Sequence, residues 1–223
     1  MHTIVSVEGS YNARTIGTKH MPWLVRTAAL DELTADGERT LRAQGVDLII
    51  DLREPSEQRT RRHGIPVSSV PLYGELPPAH GTIHEIYAGL VRDRGSQIAA
   101  AVSAIAAHPG TAAVHCTAGK DRTGIVVALA RLVAGDSRTE ILADYVLSGN
   151  TVRPARAAIV TDQLDSLGLE GAVRAAAEEL HLDSPSAALA GALELVNELG
   201  GPIAYLLDNG MSVAHLRSLA ERA

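Results

Sequence analysis

The chain is organised around Val114-His115-Cys116-Thr117-Ala118-Gly119-Lys120-Asp121-Arg122-Thr123-Gly124, which contains its only cysteine. The residues leading into the cysteine, 111–114, are β-branched or apolar and predict a short strand. The residues that follow, 125–133, are apolar on nearly every side and predict a buried helix. Cys116 is therefore expected at the end of a strand, in a tight loop that opens onto a helix N-terminus.

A loop in this position can form an anion site. Its successive backbone N–H groups can turn inward and make a concave cradle, which the dipole of the following helix reinforces. The same field stabilises a thiolate and is expected to lower the pKa of Cys116. Arg122 carries a planar fork that matches two phosphate oxygens, and Gly119 and Gly124 allow close approach of the backbone. The predicted phosphate contacts come from Thr117, Ala118, Gly119, Lys120, Asp121 and Arg122.

The motif His115-Cys116-x5-Arg122-Thr123-Gly124 resembles the phosphate-binding loop of the protein tyrosine phosphatase superfamily. The narrower form Cys-x-x-Gly-Lys-Asp-Arg-Thr-Gly resembles the bacterial atypical dual-specificity phosphatases, a group that includes mycobacterial enzymes active on phosphotyrosine and phosphoinositides. Such a motif should arise by chance in roughly one in a million chains of this length. The loop therefore favours a nucleophile over the usual reading of a lone cysteine as a small buried hydrophobe.

Other segments carry weaker similarities to the same family. Residues 9–17 resemble its Asn-x-Arg-Asp-Leu-Gly-Gly stretch, but Thr15, Ile16 and Thr18 replace Asp, Leu and Gly. Residues 24–30 resemble its Arg-Ser-x-x-Leu segment, and residues 144–150 resemble Asp-Tyr-Leu-Leu-Ser-Asn. The resemblance spans most of the chain and is weakest in residues 73–95 and 151–185.

The resemblance implies hydrolysis of phosphate monoesters through a covalent cysteinyl-phosphate. Cys116 would attack phosphorus as a thiolate, while Arg122 and the loop N–H groups stabilise the charge of the transition state. Thr123 is expected to donate its hydroxyl to the thiolate, and His115 to orient the loop. Phosphotyrosine, phosphoserine or phosphothreonine, and phosphoinositides all remain open as substrates.

A second polar segment follows a predicted strand at residues 46–52, where Asp51-Leu52-Arg53 closes an apolar run. Polar residues at the C-terminal ends of parallel strands often bind ligands in open α/β sheets. The family resemblance also leads us to expect this motif. A salt bridge between Asp51 and Arg53 with a purely structural role is an equally good interpretation.

Protonation of the leaving group requires an acid within hydrogen-bond reach of its oxygen. The Trp-Pro-Asp loop of tyrosine phosphatases is absent, because the only tryptophan, Trp23, is preceded rather than followed by proline. The candidate acids are Asp121, Asp51, Glu57, Glu75 and Asp93. Asp121 is favoured because it lies inside the loop, although neighbouring cations favour its ionised form. Its alternative role is to hold Arg122 in position, and Lys120 is expected at the rim of the cradle, where it would favour phosphoinositides.

Two other functions share parts of this pattern. A rhodanese-type sulfurtransferase also uses a loop cysteine, but its usual loop is one residue shorter and lacks the Lys-Asp-Arg-Thr-Gly run. A binding module could hold phosphorylated ligands without turnover. The presence of both Cys116 and Arg122 argues against such a module.

The order of predicted elements indicates one α/β domain over residues 1–223. We expect a mostly parallel sheet of four or five strands with helices on both faces, similar to tyrosine phosphatases. Residues 73–95 are expected to form an irregular flap beside the site. Residues 151–185 are expected to be helical, either as a lid over the site or packed on the flank of the sheet.

Composition excludes several classes of function. The 223 residues are 46% apolar and carry a net charge of −6, which argues against general nucleic-acid binding. No apolar run approaches the ~18 residues that span a bilayer, and Met1–Val5 show no secretory signal. A reducing cytoplasm is expected because the nucleophile must stay a thiol, although export without a signal peptide stays open. The sequence shows no cluster of histidine or carboxylate residues with the spacing of metal ligands, so no metal or other cofactor is expected.

Overall fold

The computed structural model of the protein describes residues 2–18, 22–74 and 76–222. Its sheet has the strand order β1-β2-β3-β6-β4-β5. The strands are β1 (His2–Ile4), β2 (Arg14–Gly17), β3 (Pro22–Thr27), β4 (Val46–Asp51), β5 (Val67–Ser69) and β6 (Thr111–His115). The neighbouring strands β3, β6, β4 and β5 run parallel to one another. The pairs β1–β2 and β2–β3 are antiparallel. The predicted α/β class with a mostly parallel sheet is confirmed.

The number of strands is larger than predicted, since the described residues form six rather than four or five. The additional strands come from the N-terminal segment, where β1 and β2 extend one edge of the sheet. Residues 9–17 are rich in turn formers and show no strand periodicity. Strand β2 forms there because its backbone pairs with β3, from Arg14 opposite Arg26 to Ile16 opposite Leu24.

The helices surround this sheet. In chain order they are α1 (Ala35–Ala43), α2 (Ile83–Asp93), α3 (Gly95–Ala107), α4 (Asp121–Val133), α5 (Arg138–Ser166), α6 (Gly171–Leu182), α7 (Ser186–Glu198), α8 (Gly201–Asp208) and α9 (Val213–Ala220), and a short 3-10 turn covers Pro55–Glu57. Within the described residues, no helix combines the length and apolar character that a bilayer crossing demands.

Helix α2 corrects the expectation of an irregular flap over residues 73–95. Pro77, Pro78 and Gly81 favoured a loop, but a capping box begins a helix directly after them. The Thr82 hydroxyl accepts a hydrogen bond from the Glu85 N–H at 3.2 Å, and the Glu85 carboxylate returns to the Thr82 N–H. Such reciprocal caps satisfy backbone donors that the first helical turn leaves open.

Strand β6 lies in the middle of the sheet and is completely buried. Its side chains alternate between two hydrophobic cores, as the two-residue period of a strand requires. Ala112 and Val114 pack into the larger core with the helices that include α3 and α4, whereas Ala113 packs with Val25 and Ile49 in the smaller one. Because β6 is buried on both faces, its end is fixed in the sheet, and so is the position of the next residue, Cys116.

Candidate active site

The loop between β6 and α4 is shaped by close backbone packing against the end of β3. Gly119 has a φ of +65°, in the left-handed region that favours glycine. A Cβ atom added there would lie 2.1 Å from the carbonyl oxygen of Thr27. The loop can approach β3 this closely only because position 119 has no side chain.

The carbonyl groups of the loop are held away from its concave side. The Asn12 amide donates to the carbonyls of Ala118 and Gly119 at 2.9 and 3.1 Å, and the Arg26 guanidinium donates to Gly119 O at 2.9 Å. The Ala29 N–H donates to the carbonyl of Thr117 at 3.1 Å. Because C=O and N–H point in opposite directions across a trans peptide, the N–H groups of residues 118–120 turn toward the concave side.

Behind the loop lies a buried charge cluster, in which the Asp144 carboxylate is surrounded by arginines. Arg14 and Arg26 donate to its two oxygens at 2.6 and 2.8 Å, and Arg131 lies 3.7 Å away. Burial would raise the pKa of Asp144, but the charges of Arg26 and Arg14 hold it well below its usual range. For Arg14, burial and the charge of Arg26 act in the other direction and lower the pKa to about 10.

None of the residues in this cluster was a predicted site residue, although Arg14, Arg26 and Asp144 lie in the segments 9–17, 24–30 and 144–150 that resemble the family. With Asp136 paired to Arg131 at 2.5 Å, the cluster holds three arginines and two aspartates. The cluster therefore carries a net positive charge. This charge lies behind the concave loop and favours the binding of an anion on the concave side.

The Arg122 guanidinium is held by groups from outside the loop. It donates two parallel hydrogen bonds to the Glu57 carboxylate, at 2.6 and 2.7 Å, and Thr117 Oγ1 donates to the same carboxylate at 2.6 Å. Its central carbon lies 4.9 Å from the centroid of the Tyr73 ring, within the range of cation–π attraction. These contacts fix the plane of Arg122 beside Cys116.

The thiol of Cys116 is buried, yet its pKa lies below its ordinary value. Burial acts to raise this pKa, whereas the Arg122 charge and hydrogen bonding by Thr123 lower it more strongly. In the part of the chain that the structure describes, the Thr123 hydroxyl is buried without a partner at full hydrogen-bond geometry. It is therefore available to turn toward the sulfur.

His115 and the Asp51-Leu52-Arg53 segment lie beside the loop rather than in its concave side. His115 Nδ1 is 3.1 Å from the carbonyl of Cys116, and its Nε2 is 3.8 Å from Asp51. Burial lowers the pKa of His115, which favours a neutral ring. Arg53 bridges Asp51 and Asp31 through bonds of 2.5 to 3.0 Å. The segment thus has the structural salt bridge that was one of its two interpretations.

Lys120 does not lie at the rim of the cradle, where the sequence placed it. Its side chain is fully buried, and the ammonium donates to the carbonyls of Leu180 and Asp183 at 2.6 and 2.5 Å. These carbonyls lie at the end of α6. The ammonium is buried there because a helix C-terminus has unpaired carbonyls and partial negative charge, both of which favour a cationic donor.

A cavity of about 230 Å³ opens above the loop. Cys116, Asp121 and Arg122 line this cavity, together with Arg156 of α5 and Leu180 of α6. Its full lining is Glu57, Tyr73, Pro77, Pro78, Cys116, Thr117, Ala118, Asp121, Arg122, Arg156, Gln163, Leu180 and His181. Helices α5 and α6 therefore border the site directly.

The five candidate acids have different positions. Asp121 borders the cavity and is partly exposed, whereas Asp51 is buried against Arg53 and does not border it. Glu57 borders the cavity, but the bonds from Arg122 outweigh its burial and lower its pKa, so it is ionised. Asp93 is exposed at the end of α2 and does not reach the cavity. Glu75 lies outside the described residues.

Across the described ranges, no three or more histidine, cysteine, aspartate or glutamate side chains are grouped so that they could hold a metal ion.

Comparison with known proteins agrees with this geometry. The sequence profile described as the tyrosine phosphatase family matches residues 5–223. The chain belongs to the tyrosine phosphatase family. The matched residues include every strand from β2 onward, all the helices named above and the loop that contains Cys116.

Two curated relatives are similar to parts of this family member. A tyrosine-protein phosphatase from Nostoc commune is 31% identical over 143 residues, which cover 56% of this chain and 48% of the relative. The triple specificity protein phosphatase PtpB from Mycobacterium tuberculosis is 36% identical over 107 residues, covering 45% of this chain and 39% of the relative. The aligned regions thus span less than half the length of each relative.

Proposed function

We propose that the protein is a cysteine-dependent phosphate monoester hydrolase that acts through a cysteinyl-phosphate intermediate. The observation that carries this proposal is the outward anchoring of three loop carbonyls by Asn12, Arg26 and Ala29. It directs N–H groups to the concave side of the loop, where a nucleophilic thiol and Arg122 are also present. A tetrahedral oxyanion group fits this combination of donors, charge and nucleophile.

The reaction takes two steps. In the first, the Cys116 thiolate forms an S–P bond as the ester P–O bond breaks, and Asp121 gives its proton to the leaving oxygen. In the second, Asp121 takes a proton from water, whose oxygen attacks phosphorus and breaks the S–P bond. Inorganic phosphate leaves and the thiolate is restored, so the cycle consumes one water and needs no oxidant or reductant.

The substrates we propose are phosphorylated proteins, at tyrosine or at serine and threonine, and phosphoinositides. The names of the two relatives favour protein substrates. The cavity also favours aryl phosphates, because Tyr73, Pro77 and Pro78 contribute apolar groups to its lining. For a phosphoinositide, the additional negative charge would have to meet Arg156 rather than Lys120, because Lys120 is buried. A reducing compartment such as the cytoplasm suits an enzyme that needs a free thiol.

The proposal is tested by turnover of para-nitrophenyl phosphate beside a thiosulfate:cyanide transfer assay. We expect vanadate-sensitive phosphate release and no sulfur transfer. After acid quenching during turnover, phosphate should remain bound to the peptide that contains Cys116. Sulfur transfer without phosphate release would support the rhodanese alternative, and tight phosphate binding without release would support a binding module.

The first prediction concerns the thiolate. Iodoacetate inactivation should have a midpoint below the ~8.5 of a free cysteine, because Arg122 and Thr123 lower the pKa of Cys116 more than burial raises it. Arg122→Met should move the midpoint to higher pH, because its charge is the largest stabilising contribution. Arg153→Met is the matched control, since Arg153 pairs with Asp183 on the protein surface. A midpoint at or above 8.5 in the parent protein would contradict the prediction.

We further propose that residues 1–223 form a single phosphatase domain and that residues 151–185 act as its lid. The second part of α5 packs on α6 through a small core of its own, formed by Val160, Leu164, Ala177 and Leu182. Because this helix pair also borders the cavity, displacement of the pair would change access to Cys116. The Lys120 ammonium ties the end of α6 to the catalytic loop.

The second prediction tests this tie by hydrogen exchange. Lys120→Met leaves two carbonyl oxygens without their buried partner, which should weaken the docking of α6 by about 1–3 kcal/mol. We expect faster amide exchange in residues 171–182, with little change in β6. Arg174→Met is the control, because Arg174 lies on α6 but its contacts, to Asp165, Glu178 and the Leu169 carbonyl, do not reach the catalytic loop.

Exchange should also slow across α6 when vanadate occupies the parent enzyme, if the lid closes on a bound anion. Unchanged exchange in the Lys120→Met variant would show that α6 is held by its apolar contacts alone. Unchanged exchange with vanadate would favour ordinary packing of residues 151–185 over a lid.

A further inference from the structure

The structure contains a short hydrogen-bonded chain of hydroxyl groups that ends on the candidate acid. The Tyr87 hydroxyl lies 2.8 Å from Asp121 Oδ1 and 2.7 Å from the hydroxyl of Tyr145. Both tyrosines are fully buried, and their rings meet edge to face with centroids 6.3 Å apart. Tyr87 comes from α2, Tyr145 from α5 and Asp121 from the first turn of α4.

The direction of this chain follows from counting protons. Each phenol has a single proton to donate. When Tyr87 gives its proton to Asp121, the contact between the two tyrosines requires Tyr145 to be the donor. Each hydroxyl proton then has an acceptor, and the chain runs from Tyr145 through Tyr87 to Asp121.

The opposite direction leaves a buried proton without an acceptor. If Asp121 carried its proton on Oδ1 and donated it to Tyr87, then Tyr87 would donate to Tyr145. Among the described residues, the Tyr145 hydroxyl makes no hydrogen bond other than that with Tyr87. A buried hydroxyl without an acceptor is costly. The first direction is therefore the stable one in both charge states of Asp121.

A second group acts on the same oxygen. The Lys120 ammonium lies 3.3 Å from Asp121 Oδ1. Oδ1 thus faces two buried donors on the protein side, and a proton placed on it would meet both of them. The other oxygen, Oδ2, is the better site for a transferable proton, and Asp121 borders the cavity where the leaving group would lie.

We propose that Tyr87 is a positioning residue, which holds Asp121 Oδ1 so that the acid proton resides on Oδ2 and faces the leaving group. Tyr145 supports this role by donating to Tyr87. The inference rests on the proposed function, because it assigns Tyr87 a role through the acid of that reaction. Tyr87 itself touches neither the thiol nor the proposed position of phosphorus.

Burial keeps both phenols in the form that the inference requires. Burial raises the pKa of Tyr87 and of Tyr145 far above the ordinary value. Both therefore remain protonated hydroxyl donors across the pH range of the assay. Neither is a candidate for supplying the leaving-group proton directly.

Tyr87→Phe tests the inference through its dependence on the leaving group. For phenyl phosphate, whose leaving group needs a proton, kcat/KM should fall about ten- to a hundredfold, the range expected for loss of a hydrogen bond to a charged group. For para-nitrophenyl phosphate, which leaves without protonation, the fall should be less than about threefold. Tyr145→Phe should show the same selectivity with a smaller fall.

Tyr205→Phe is the matched control. Tyr205 lies on α8, and its buried hydroxyl donates to the carbonyl of Val91 on α2 at 2.8 Å. The substitution therefore also removes a buried phenol hydroxyl, but one that has no contact with Asp121. We expect no leaving-group selectivity from this variant. Thermal unfolding of each variant separates loss of positioning from loss of fold.

A double-mutant cycle completes the test. If Tyr87 acts through Asp121, the double variant Tyr87→Phe/Asp121→Asn should lose no more phenyl phosphate activity than Asp121→Asn alone. Equal falls on both substrates for Tyr87→Phe, or additive losses in the double variant, would overturn the positioning role. A parent enzyme without cysteine-dependent hydrolysis would instead overturn the proposed function, so the two failures are distinct.

Discussion

Replacing Cys116 with serine should lower kcat/KM for para-nitrophenyl phosphate by roughly four orders of magnitude or more. The substitution barely changes the size of the side chain, but a serine hydroxyl stays protonated at neutral pH. The contacts that favour a Cys116 thiolate, from Arg122 and Thr123, are too weak to ionise an alcohol. The measurement is steady-state hydrolysis together with a search for the acid-stable phosphoenzyme, which should disappear.

The ability to bind an anion should survive this substitution. The N–H groups of the loop and the Arg122 guanidinium remain in place, so calorimetry should detect inorganic phosphate binding to Cys116→Ser. Arg122→Met should show the opposite pattern, with an intact thiol and greatly weakened phosphate binding. Residual hydrolysis by Cys116→Ser above about a tenth of the parent rate would show that another residue is the nucleophile.

The fold of the loop between β6 and α4 was predictable because its information is local. A strand, a cysteine, two glycines and an arginine within eleven residues determine both the direction of the backbone and the chemistry of the side chains. The cap that begins α1 is local in the same way, since the Thr34 hydroxyl accepts a hydrogen bond from the Gly37 N–H three residues later. Short spacing leaves few alternative partners, so the pattern in the sequence is close to the contact in the structure.

The environment of the loop could not be derived in this way. Lys120 meets the end of α6 about sixty residues further along the chain, and Arg26 reaches the carbonyl of Gly119 across ninety-three residues. Nothing near Lys120 in the sequence indicates that unpaired carbonyls will lie above it. Its charge suggested an exposed rim position, which is the usual location of a lysine.

The tyrosine chain beside the site was missed for the same reason. Tyr87 lies in a segment where two prolines and a glycine favoured a loop, so its helical position was not predicted. Its partners Asp121 and Tyr145 are thirty-four and fifty-eight residues away. The similarity of residues 144–150 to a family segment was the one signal that pointed toward this region, and it carried no information on the partner.

Asp121→Asn should lower kcat/KM for phenyl phosphate by roughly a hundredfold or more, the contribution expected of a general acid. The structure favours Asp121 over the other described candidates because it borders the cavity beside Cys116, whereas Glu57 is ionised against Arg122. Asparagine keeps the size and can still accept the hydrogen bond from Tyr87. It has no acidic proton to give, so the loss should report proton transfer.

The comparison that decides the role of Asp121 uses two leaving groups and one control residue. Its loss should affect para-nitrophenyl phosphate far less, because nitrophenolate leaves without a proton. Asp51→Asn is the control, since Asp51 is buried in its salt bridge with Arg53 and does not border the cavity. We expect that variant to lose stability without selectivity between the two esters. Equal losses on both esters in Asp121→Asn would reassign Asp121 to holding Arg122, and a selective loss in Asp51→Asn would move the acid to Asp51.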